Sequence, residues 1–331
     1  MDRREFIKNS ILATGILAGG LTLAGCSNPF AAKQSSTKEK PTLKIGYLPI
    51  TDHLTMITHG QTQYSNLILE PVKFSNWAEL SEALKNNAVH GAFALSPIGM
   101  TLRQKDVPVK AVFLGHRNGS VVTIKNEPEL SKVEDLRGKT IAIPSRFSTH
   151  NILIQKYLSE HNIAVSDVKF IDMAPPEMVN ALSTGKIEAF IVAEPFGGQA
   201  ELQKVGKVLV LSKDIWHDHI CCVLNMQESV LAQYPESVEE LVGSLAKAAN
   251  FIDQNPNEAA KLSVKYLGQK PEVIEHVLTQ PKGRITFNNL IPQLKDFNET
   301  QEYLLKFGIA KESIDIAQYI DDRFAKKAYG V

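Results

Sequence analysis

Short apolar runs alternate with amphipathic segments over most of the chain. The predicted strands lie at residues 43–48, 91–95, 140–143, 168–171 and 189–192. The predicted helices lie at residues 77–86 and 149–161, with a third that begins at Pro175. This alternation is typical of an α/β fold with mixed, mostly parallel sheets flanked by helices. After about residue 227 the pattern is helical to the end.

Two segments of the chain resemble each other. Residues 83–97 align without a gap with residues 181–195, and each contains a helix end, a turn, a buried strand, a polar residue and a proline. The match is either a chance similarity between common α/β units or the sign of two similar lobes. Because ligands of open α/β sheets bind beyond the carboxyl ends of strands, two lobes would place Ser96 and Glu194 facing each other across a cleft.

The first 25 residues predict an export signal. A head with paired arginines precedes a glycine-containing apolar run that ends in Leu-Ala-Gly-Cys26. This run is weaker than the roughly 20 apolar residues of a membrane-spanning helix, although an uncleaved anchor helix is the alternative. The head resembles a twin-arginine signal and the ending resembles a lipobox, so we expect Cys26 to carry lipid and hold the protein at a membrane. Residues 26–41 predict a flexible tether.

Charge and composition exclude several classes of protein. The 331 residues contain 36 basic and 36 acidic side chains, and removal of residues 1–25 leaves 33 against 34. Nucleic-acid binding normally needs a basic excess, and 44% hydrophobic residues are unlike a disordered chain. Three cysteines are too few for a disulfide scaffold. The length suits two globular units, and no nucleic-acid partner is expected.

Polar residues follow two of the predicted strands. The segment Ser148-Thr149-His150 begins a helix after the strand at 140–143, and Thr51-Asp52-His53 follows the first strand. Helix N-termini offer unpaired N–H groups and a positive dipole end, which favours an anionic or polar ligand. Alternatively, Ser148 or Thr149 is only an N-cap.

Two further features allow both a binding and a structural interpretation. Trp77 begins a predicted helix and is either a core side chain or a stacking face for a ligand. The loop Asn118-Gly119-Ser120 lies between two apolar runs and suits either a hinge or a simple turn.

The segment 216–222 contains residue types that bind metal ions. Strand alternation would place His217, His219 and Cys221 on one face, in a donor set that suits zinc or copper. Structural sites usually draw on two separated pairs of ligands, and a second Cys/His pair is not evident in the sequence. Buried free cysteines are common in ordinary strands, so no metal and no cofactor are predicted.

The sequence resembles a known family over about residues 43–251. The markers are Ile45-Gly46-Tyr47-Leu48-Pro49-Ile50-Thr51-Asp52, Phe74-Ser75-Asn76-Trp77-Ala78-Glu79-Leu80, Arg117-Asn118-Gly119-Ser120, Thr149-His150, Ala174-Pro175-Pro176-Glu177-Met178 and Ala193-Glu194-Pro195-Phe196. They resemble the solute-binding lipoproteins of ABC importers for nitrate, bicarbonate, sulfonates and taurine, with the related thiamine-precursor binders. The resemblance implies a two-lobed periplasmic-binding-protein fold of type II. Lobe 1 would comprise residues 42–117 plus 222–331, and lobe 2 residues 118–221.

The resemblance also implies a pocket. Trp77 and His150 would line it, with Asn118-Gly119-Ser120 and Glu194 nearby. Nitrate binders carry glutamine where this chain has Ser120 and lysine where it has His217. Without that lysine and amide, the ligand is expected to be a weaker or differently shaped anion, or a neutral heterocycle.

The expected function follows from these features together. We expect a monomeric protein, exported and lipid-anchored, that faces the periplasm or the cell exterior. It would capture a small anion or polar molecule between its lobes and deliver it to a permease and its ATPase. The alternatives are a binding protein for the pyrimidine precursor of thiamine, a synthase-like enzyme of the thiamine-precursor type, and a tethered ligand sensor.

Overall fold

Two five-stranded mixed sheets organise residues 39–331, the part of the chain that the computed structural model describes. The predicted signal peptide at 1–25, the lipid acceptor Cys26 and nearly all of the tether at 26–41 lie outside the described residues. Within residues 39–331, no helix has the length and apolar character needed to cross a membrane.

Twelve strands and fourteen α-helices make up the described elements. The strands are β1 Thr42–Tyr47, β2 Ile68–Lys73, β3 Gly91–Leu95, β4 Val109–Leu114, β5 Arg117–Asn118, β6 Ser120–Lys125, β7 Thr140–Ile143, β8 Lys169–Asp172, β9 Ala189–Ala193, β10 Gly206–Leu211, β11 Cys222–Gln227 and β12 Ile285–Thr286. The helices are α1 Thr58–Gln61, α2 Trp77–Lys85, α3 Ser96–Gln104, α4 Thr149–Glu160, α5 Pro175–Ser183, α6 Phe196–Leu202, α7 Ser212–Ile215, α8 Glu228–Gln233, α9 Pro235–Gln254, α10 Pro256–Leu267, α11 Pro271–Thr279, α12 Leu294–Lys306, α13 Ile316–Tyr319 and α14 Arg323–Tyr329. Short 3-10 helices span Thr51–Ile57, Val133–Leu136 and Val165–Asp167.

The two sheets have matching topologies. The first runs β2-β1-β3-β11-β4, and the second, taken from its other edge, runs β8-β7-β9-β6-β10. In each sheet the central strand, β3 or β9, is parallel to one neighbour and antiparallel to the other. The aligned segments 83–97 and 181–195 contain these two central strands, so the sequence similarity corresponds to equivalent places in the two sheets.

Burial explains why these strands were visible in the sequence. Every residue of β3 and β9 is buried, because a central strand with both faces covered needs a continuous apolar run. Their predicted positions match the structure to within a residue, as do those of β7 and β8. The helices at α2, α4 and α5 also match their predicted positions, and the helical pattern after residue 227 corresponds to α8–α14 with the short β12 among them.

One expected strand is wrong. The segment 217–221 does not form a strand, since β11 begins at Cys222. It is a turn in which Asp218 has a positive φ of 58°, so side chains do not alternate as they would in a strand. His217 is exposed, whereas His219 and Cys221 are buried; the three do not share one face.

The strands divide between the sheets near the predicted lobe crossings, but the lobe boundaries themselves stay a prediction. The first sheet takes strands from 42–114 and 222–227, and the second takes strands from 120–211. The two-residue strand β5 pairs with β12 in a separate ladder. Helix α11 packs on α6, with Val277 against Gly198. Part of the carboxyl-terminal region therefore contacts elements of the second sheet.

Candidate functional site

A buried polar cluster lies where strands of both sheets end. The Thr51–Ile57 helix follows β1, α3 follows β3, and α4 follows β7. The cluster residues with a side chain that is fully buried are Thr51, Asp52, His53, Ser96, Ser148, Thr149, His150 and Glu194. Eight of the thirteen predicted ligand contacts therefore converge at the carboxyl ends of strands, as expected for open α/β sheets.

Direct hydrogen bonds join the two sides of this cluster. The backbone N–H of Thr51 donates to the Glu194 carbonyl oxygen at 2.7 Å, and the Thr51 hydroxyl donates to the same oxygen at 3.1 Å. The hydroxyls of Ser96 and Thr149 are 3.4 Å apart. Since Thr51 and Ser96 follow strands of the first sheet and the other two residues follow strands of the second, the cleft is closed at this level.

The start of α4 contains an N-cap residue and a buried histidine with one unpaired ring nitrogen among the described residues. The Ser148 hydroxyl accepts from the Asn151 N–H at 3.0 Å, so Ser148 is an N-cap. His150 lies two residues further on, with its Nε2 3.0 Å from the Ser120 hydroxyl. Its Nδ1 is buried and has no hydrogen-bond partner among the described residues. The predicted alternative of a simple cap therefore applies to Ser148, while His150 keeps a nitrogen available.

The Asn118-Gly119-Ser120 loop packs against histidines of the cluster. Asn118 and Gly119 both have positive φ, and Asn118 Oδ1 accepts from the Asp218 N–H at 2.9 Å. A Cβ at Gly119 would collide with the ring of His116, so glycine is needed for both its conformation and its space. This segment belongs to a packed crossing between the sheets.

His116 was missed by the sequence analysis. Its Nε2 is 3.2 Å from Asp52 Oδ2 and 3.0 Å from the Thr51 hydroxyl, and its side chain is fully buried. The signal that could have found it is its position, because it follows the end of β4 just as Thr51 follows β1. Asp52 Oδ1 accepts from the Cys222 N–H at 3.1 Å, which fixes the carboxylate from its other side.

Glu194 does not face Ser96 as expected. Its carboxylate is ion-paired with Arg284, whose Nε donates at 2.7 Å, and accepts from the Gly198 N–H at 3.0 Å. Arg284 also donates to Glu201 at 2.9 Å. A buried carboxylate needs such a partner, and no local sequence pattern indicates that residue 284 supplies it. The structure therefore assigns the Glu194 side chain to an ion-pair network, while its backbone carbonyl meets Thr51.

The second buried arginine, Arg117, is also paired with a carboxylate. Arg117 donates to Asp296 at 2.7 Å and to the Asp218 carbonyl at 2.9 Å. Both fully buried arginines of the described chain, Arg117 and Arg284, are therefore paired with carboxylates.

Three histidines of the cluster, His53, His150 and His219, are neutral at pH 7. Burial lowers the pKa of His53 to about 4, that of His150 to about 3 and that of His219 to about 4, although the nearby Asp52 carboxylate opposes the shift. Burial by itself would raise the pKa of Asp52, but the neighbouring His116 outweighs it and the pKa lies below its ordinary value. The cluster thus holds a carboxylate and several neutral hydrogen-bonding rings.

Two thiols complete the cluster. Cys221 and Cys222 are free and fully buried, and their sulfurs lie with a carboxylate oxygen of Asp52 within 4.8 Å of one another. Cys221 Sγ is 3.9 Å from His150 Nε2. Burial raises the pKa of Cys221 to about 11, so this thiol is protonated at neutral pH. His217, the candidate ligand contact of the same segment, is exposed and is not brought into this cluster.

Trp77 connects the cluster to the surface. Its ring is nearly buried and lies edge-to-face to His53, with ring centroids 5.9 Å apart. It also lines a groove of about 430 Å³. The groove walls include Asn76, Trp77, Lys85, Ile98 and Lys105 on one side, and Pro144, Phe147, Asp172 and Met173 on the other. Trp77 is therefore a buried side chain that also borders a groove, and a contact of its ring with a ligand stays a prediction.

The chain is similar in sequence to known transport proteins. The nitrate import ATP-binding protein NrtC of Synechocystis sp. is 28% identical over 267 residues, which cover 71% of this chain and 39% of that protein. The taurine-binding periplasmic protein of Escherichia coli K12 is 26% identical over 268 residues, covering 77% of this chain and 82% of that protein. The matched part thus spans about two fifths of the first relative and most of the second.

Solved structures and a family model agree with these similarities. The ligand-binding component of an ABC-type import system from Staphylococcus aureus, with zinc bound, has a TM-score of 0.77 at 25% identity, covering 87% of this chain and 99% of that one. The periplasmic nitrate-binding protein NrtA from Synechocystis PCC 6803 has a TM-score of 0.79 at 18% identity, covering 88% and 89%. The predicted periplasmic-binding-protein fold is confirmed. Because a sequence model of the NMT1-like family matches residues 36–268, more than half of the chain, the protein belongs to the NMT1-like family.

Proposed function

We propose that the protein is the extracytoplasmic solute-binding component of an ABC importer. It captures a small solute in the cleft between its two sheets and delivers it to a membrane permease with its ATPase. The observation that carries this proposal is the closed polar cluster, in which Thr51 and Ser96 on one side meet Glu194 and Thr149 on the other. Closure around a solute is how such a protein signals that it is loaded.

The proposed location follows from the amino-terminal residues. Export through the signal at 1–25 and lipid attachment at Cys26 would hold the protein on a membrane, facing the periplasm or the cell exterior, as a monomer. The similarity to a periplasmic taurine-binding protein supports export.

A carrier is favoured over an enzyme because the cluster lacks an activated nucleophile within residues 39–331. Burial raises the pKa of Cys221 to about 11, and a protonated thiol is a weak nucleophile. The enzyme of the thiamine-precursor type and the tethered sensor stay as alternatives. A carrier returns its solute unaltered after denaturation, whereas recovery of a modified compound would establish an enzyme.

The solute is identified by a thermal-shift screen. The full chain with Cys26→Ser, which blocks lipid attachment, would be tested with nitrate, nitrite, bicarbonate, taurine, alkanesulfonates and pyrimidines. A solute at 100 times its Kd stabilises the folded state by about 2.7 kcal/mol, which moves the melting temperature measurably.

Removal of one hydroxyl tests the location of the solute. Ser96→Ala should weaken binding of the identified solute by about tenfold, because one hydrogen bond in a dry cleft contributes roughly 0.5–1.5 kcal/mol. Ser263→Ala is the matched control: Ser263 is equally buried, but its hydroxyl donates to Ala260 within α10. If both variants bind as tightly as the unsubstituted chain, the solute does not contact Ser96.

A further inference from the structure

We propose that Asp52, Cys221, Cys222 and His150 form a site for a divalent transition-metal ion of the zinc type, and that this ion is the solute that the cleft captures. The inference rests on the proposed function, because it names the chemical class of the solute. It is drawn from the donor atoms of this chain, their spacing and their charge.

Three of the proposed donor atoms lie close to one another, and the fourth lies close to one of the three. With metal–sulfur bonds of about 2.3 Å and metal–nitrogen bonds of about 2.0–2.1 Å, neighbouring donors lie roughly 3.5–3.8 Å apart. Cys221 Sγ and His150 Nε2 are 3.9 Å apart. The two sulfurs and the Asp52 carboxylate oxygen all lie within 4.8 Å of one another. Asp52, Cys221 and Cys222 are therefore close enough to share one ion, and His150, whose Nε2 also lies 3.0 Å from the Ser120 hydroxyl, would join them as a fourth ligand from beside Cys221.

The chemistry of the donors favours zinc over hard cations. Cys221 and Cys222 would bind the ion as thiolates, with release of their two protons to water. Two thiolates, one imidazole and one carboxylate form a set that suits zinc and its borderline neighbours, whereas magnesium and calcium prefer oxygen alone. All four side chains are buried, so a bound ion would be shielded from water.

Contacts around the proposed ligands already orient Asp52 and the neighbouring His219. The Cys222 N–H and His116 Nε2 hold the two oxygens of Asp52 at 3.1 and 3.2 Å. His219 Nδ1 lies 2.8 Å from the Trp216 carbonyl oxygen. Because a carbonyl only accepts, Nδ1 carries the proton and Nε2 keeps a lone pair, which has no partner among residues 39–331. Metal sites commonly have such supporting contacts around their ligands.

Charge in the cluster favours a cation over an anion. Asp52 is a fully buried carboxylate, and the ionisable side chains beside it are histidines and two thiols. Both fully buried arginines of the described chain, Arg117 and Arg284, are paired with a carboxylate elsewhere. An added anion would meet Asp52 without an unpaired arginine to balance it. A divalent cation would instead be balanced by Asp52 and by the thiolates that form when Cys221 and Cys222 release their protons to water.

Coordination would also explain closure. Asp52 follows a strand of the first sheet, His150 begins a helix after a strand of the second, and the cysteines lie where the chain returns to the first sheet. An ion bound to all of them needs both sides in place. It would therefore bind the closed arrangement more tightly than an open one and shift the protein toward closure.

Cobalt(II) is the direct probe of this site. The full chain with Cys26→Ser retains Cys221 and Cys222 as its only thiols. After reduction with a phosphine and removal of metal, titration with cobalt should produce thiolate-to-metal charge-transfer absorption that saturates at one equivalent, and zinc should abolish it. Absence of that absorption at one equivalent would overturn the metal site, and this test needs no substitution in the cluster.

Substitutions then assign the ligands. Cys221→Ala and His150→Ala should each raise the zinc Kd, measured against a competing chelator, by more than about tenfold. His161→Ala is the control, because His161 is an exposed residue at the other end of the same helix. If the zinc Kd of His150→Ala equals that of His161→Ala, His150 is not a ligand and the four-residue site is wrong.

The fate of the proposed function can be distinguished from that of the metal site. If zinc fails to bind but a compound of the thermal-shift panel does, the metal inference is wrong and the solute-binding function stands. If zinc binds but small-angle scattering shows the same dimensions with and without it, the ion is not the solute that closes the cleft. If neither zinc nor any panel compound binds the folded chain, the solute-binding proposal is itself contradicted.

Discussion

Arg284→Met should be among the most destabilising single substitutions in this protein. The Arg284 guanidinium is 2% exposed and the Glu194 carboxylate is fully buried. Arg284 Nε donates to Glu194 at 2.7 Å, and a second nitrogen donates to Glu201 at 2.9 Å. Methionine would fill much of the same space but would leave the Glu194 charge without its partner.

The magnitude follows from that uncompensated charge. Removal of one partner from a buried ion pair typically costs about 3–5 kcal/mol, because the remaining ion has lost both water and its counter-ion. Glu194→Gln should cost less, about 1–3 kcal/mol, since Arg284 keeps Glu201 and an amide still accepts a hydrogen bond. With both substitutions present, the cost should fall short of the sum by roughly 2 kcal/mol.

Urea unfolding followed by circular dichroism would measure these free energies. Lys261→Met is the control, because its ion pair with Glu258 is exposed and loss of an exposed pair changes stability by no more than about 0.5 kcal/mol. A cost of less than about 1 kcal/mol for Arg284→Met would refute a strongly stabilising role for this buried ion pair. That role is also refuted if the effects of Arg284→Met and Glu194→Gln are additive, since the two residues would then not interact in the folded protein.

Two further predictions concern packing and pH. A Cβ at Gly99 would collide with the Tyr319 hydroxyl, so Gly99→Ala should lower the free energy of unfolding by about 1–3 kcal/mol. Gly243→Ala should raise it by about 0.5–1 kcal/mol, because Gly243 lies inside a helix with no described atom within 4 Å of the added carbon; equal urea midpoints for the two variants would contradict this. Burial, followed by the Lys44 charge, lowers the pKa of His90 below its ordinary value of about 6.5. The unfolded chain therefore takes up the proton first, and this contribution to stability is present above about pH 6.5 and lost as the pH falls. His90→Asn should lose less stability than the unsubstituted chain between pH 7 and pH 5, and identical losses in urea titrations would show that His90 does not contribute.

The elements that were predicted from sequence are those determined by local pattern. Strands β3 and β9 are buried on both faces, so every position in them is small or apolar and the run is unmistakable. Helices α2 and α4 each begin after an N-cap residue, Asn76 and Ser148 respectively. In both, the side chain of the N-cap residue accepts a hydrogen bond from the backbone N–H three residues later. The polar residues that directly follow these strands lie together in the structure, because the end of a strand determines where the next residues lie.

The residues that sequence analysis missed depend on contacts between distant parts of the chain. His116 reaches Asp52 from 64 positions away, and Arg284 reaches Glu194 from 90 positions away. No local pattern marks such a pair. The turn at 217–221 misled the analysis for a related reason: an alternating sequence predicts a strand only if a neighbouring strand is there to pair with, and none pairs with His217 in the described chain.

The pairing of the buried arginines limits which solutes the cleft can bind. A near-neutral chain with 36 basic residues has ample cations for an anion pocket. Yet the two that are fully buried within residues 39–331, Arg117 and Arg284, hold Asp296 and Glu194 in place. An arginine already paired at 2.7 Å is a poor partner for a solute, because binding would require it to leave one carboxylate for another anion. The selectivity of this cleft must therefore come from its imidazoles, its hydroxyls, its thiols and the Asp52 carboxylate, which is not paired with an arginine. That set interacts better with a cation or with a neutral hydrogen-bonding molecule than with a strong anion, which makes competition between zinc and nitrate the most informative comparison of solutes.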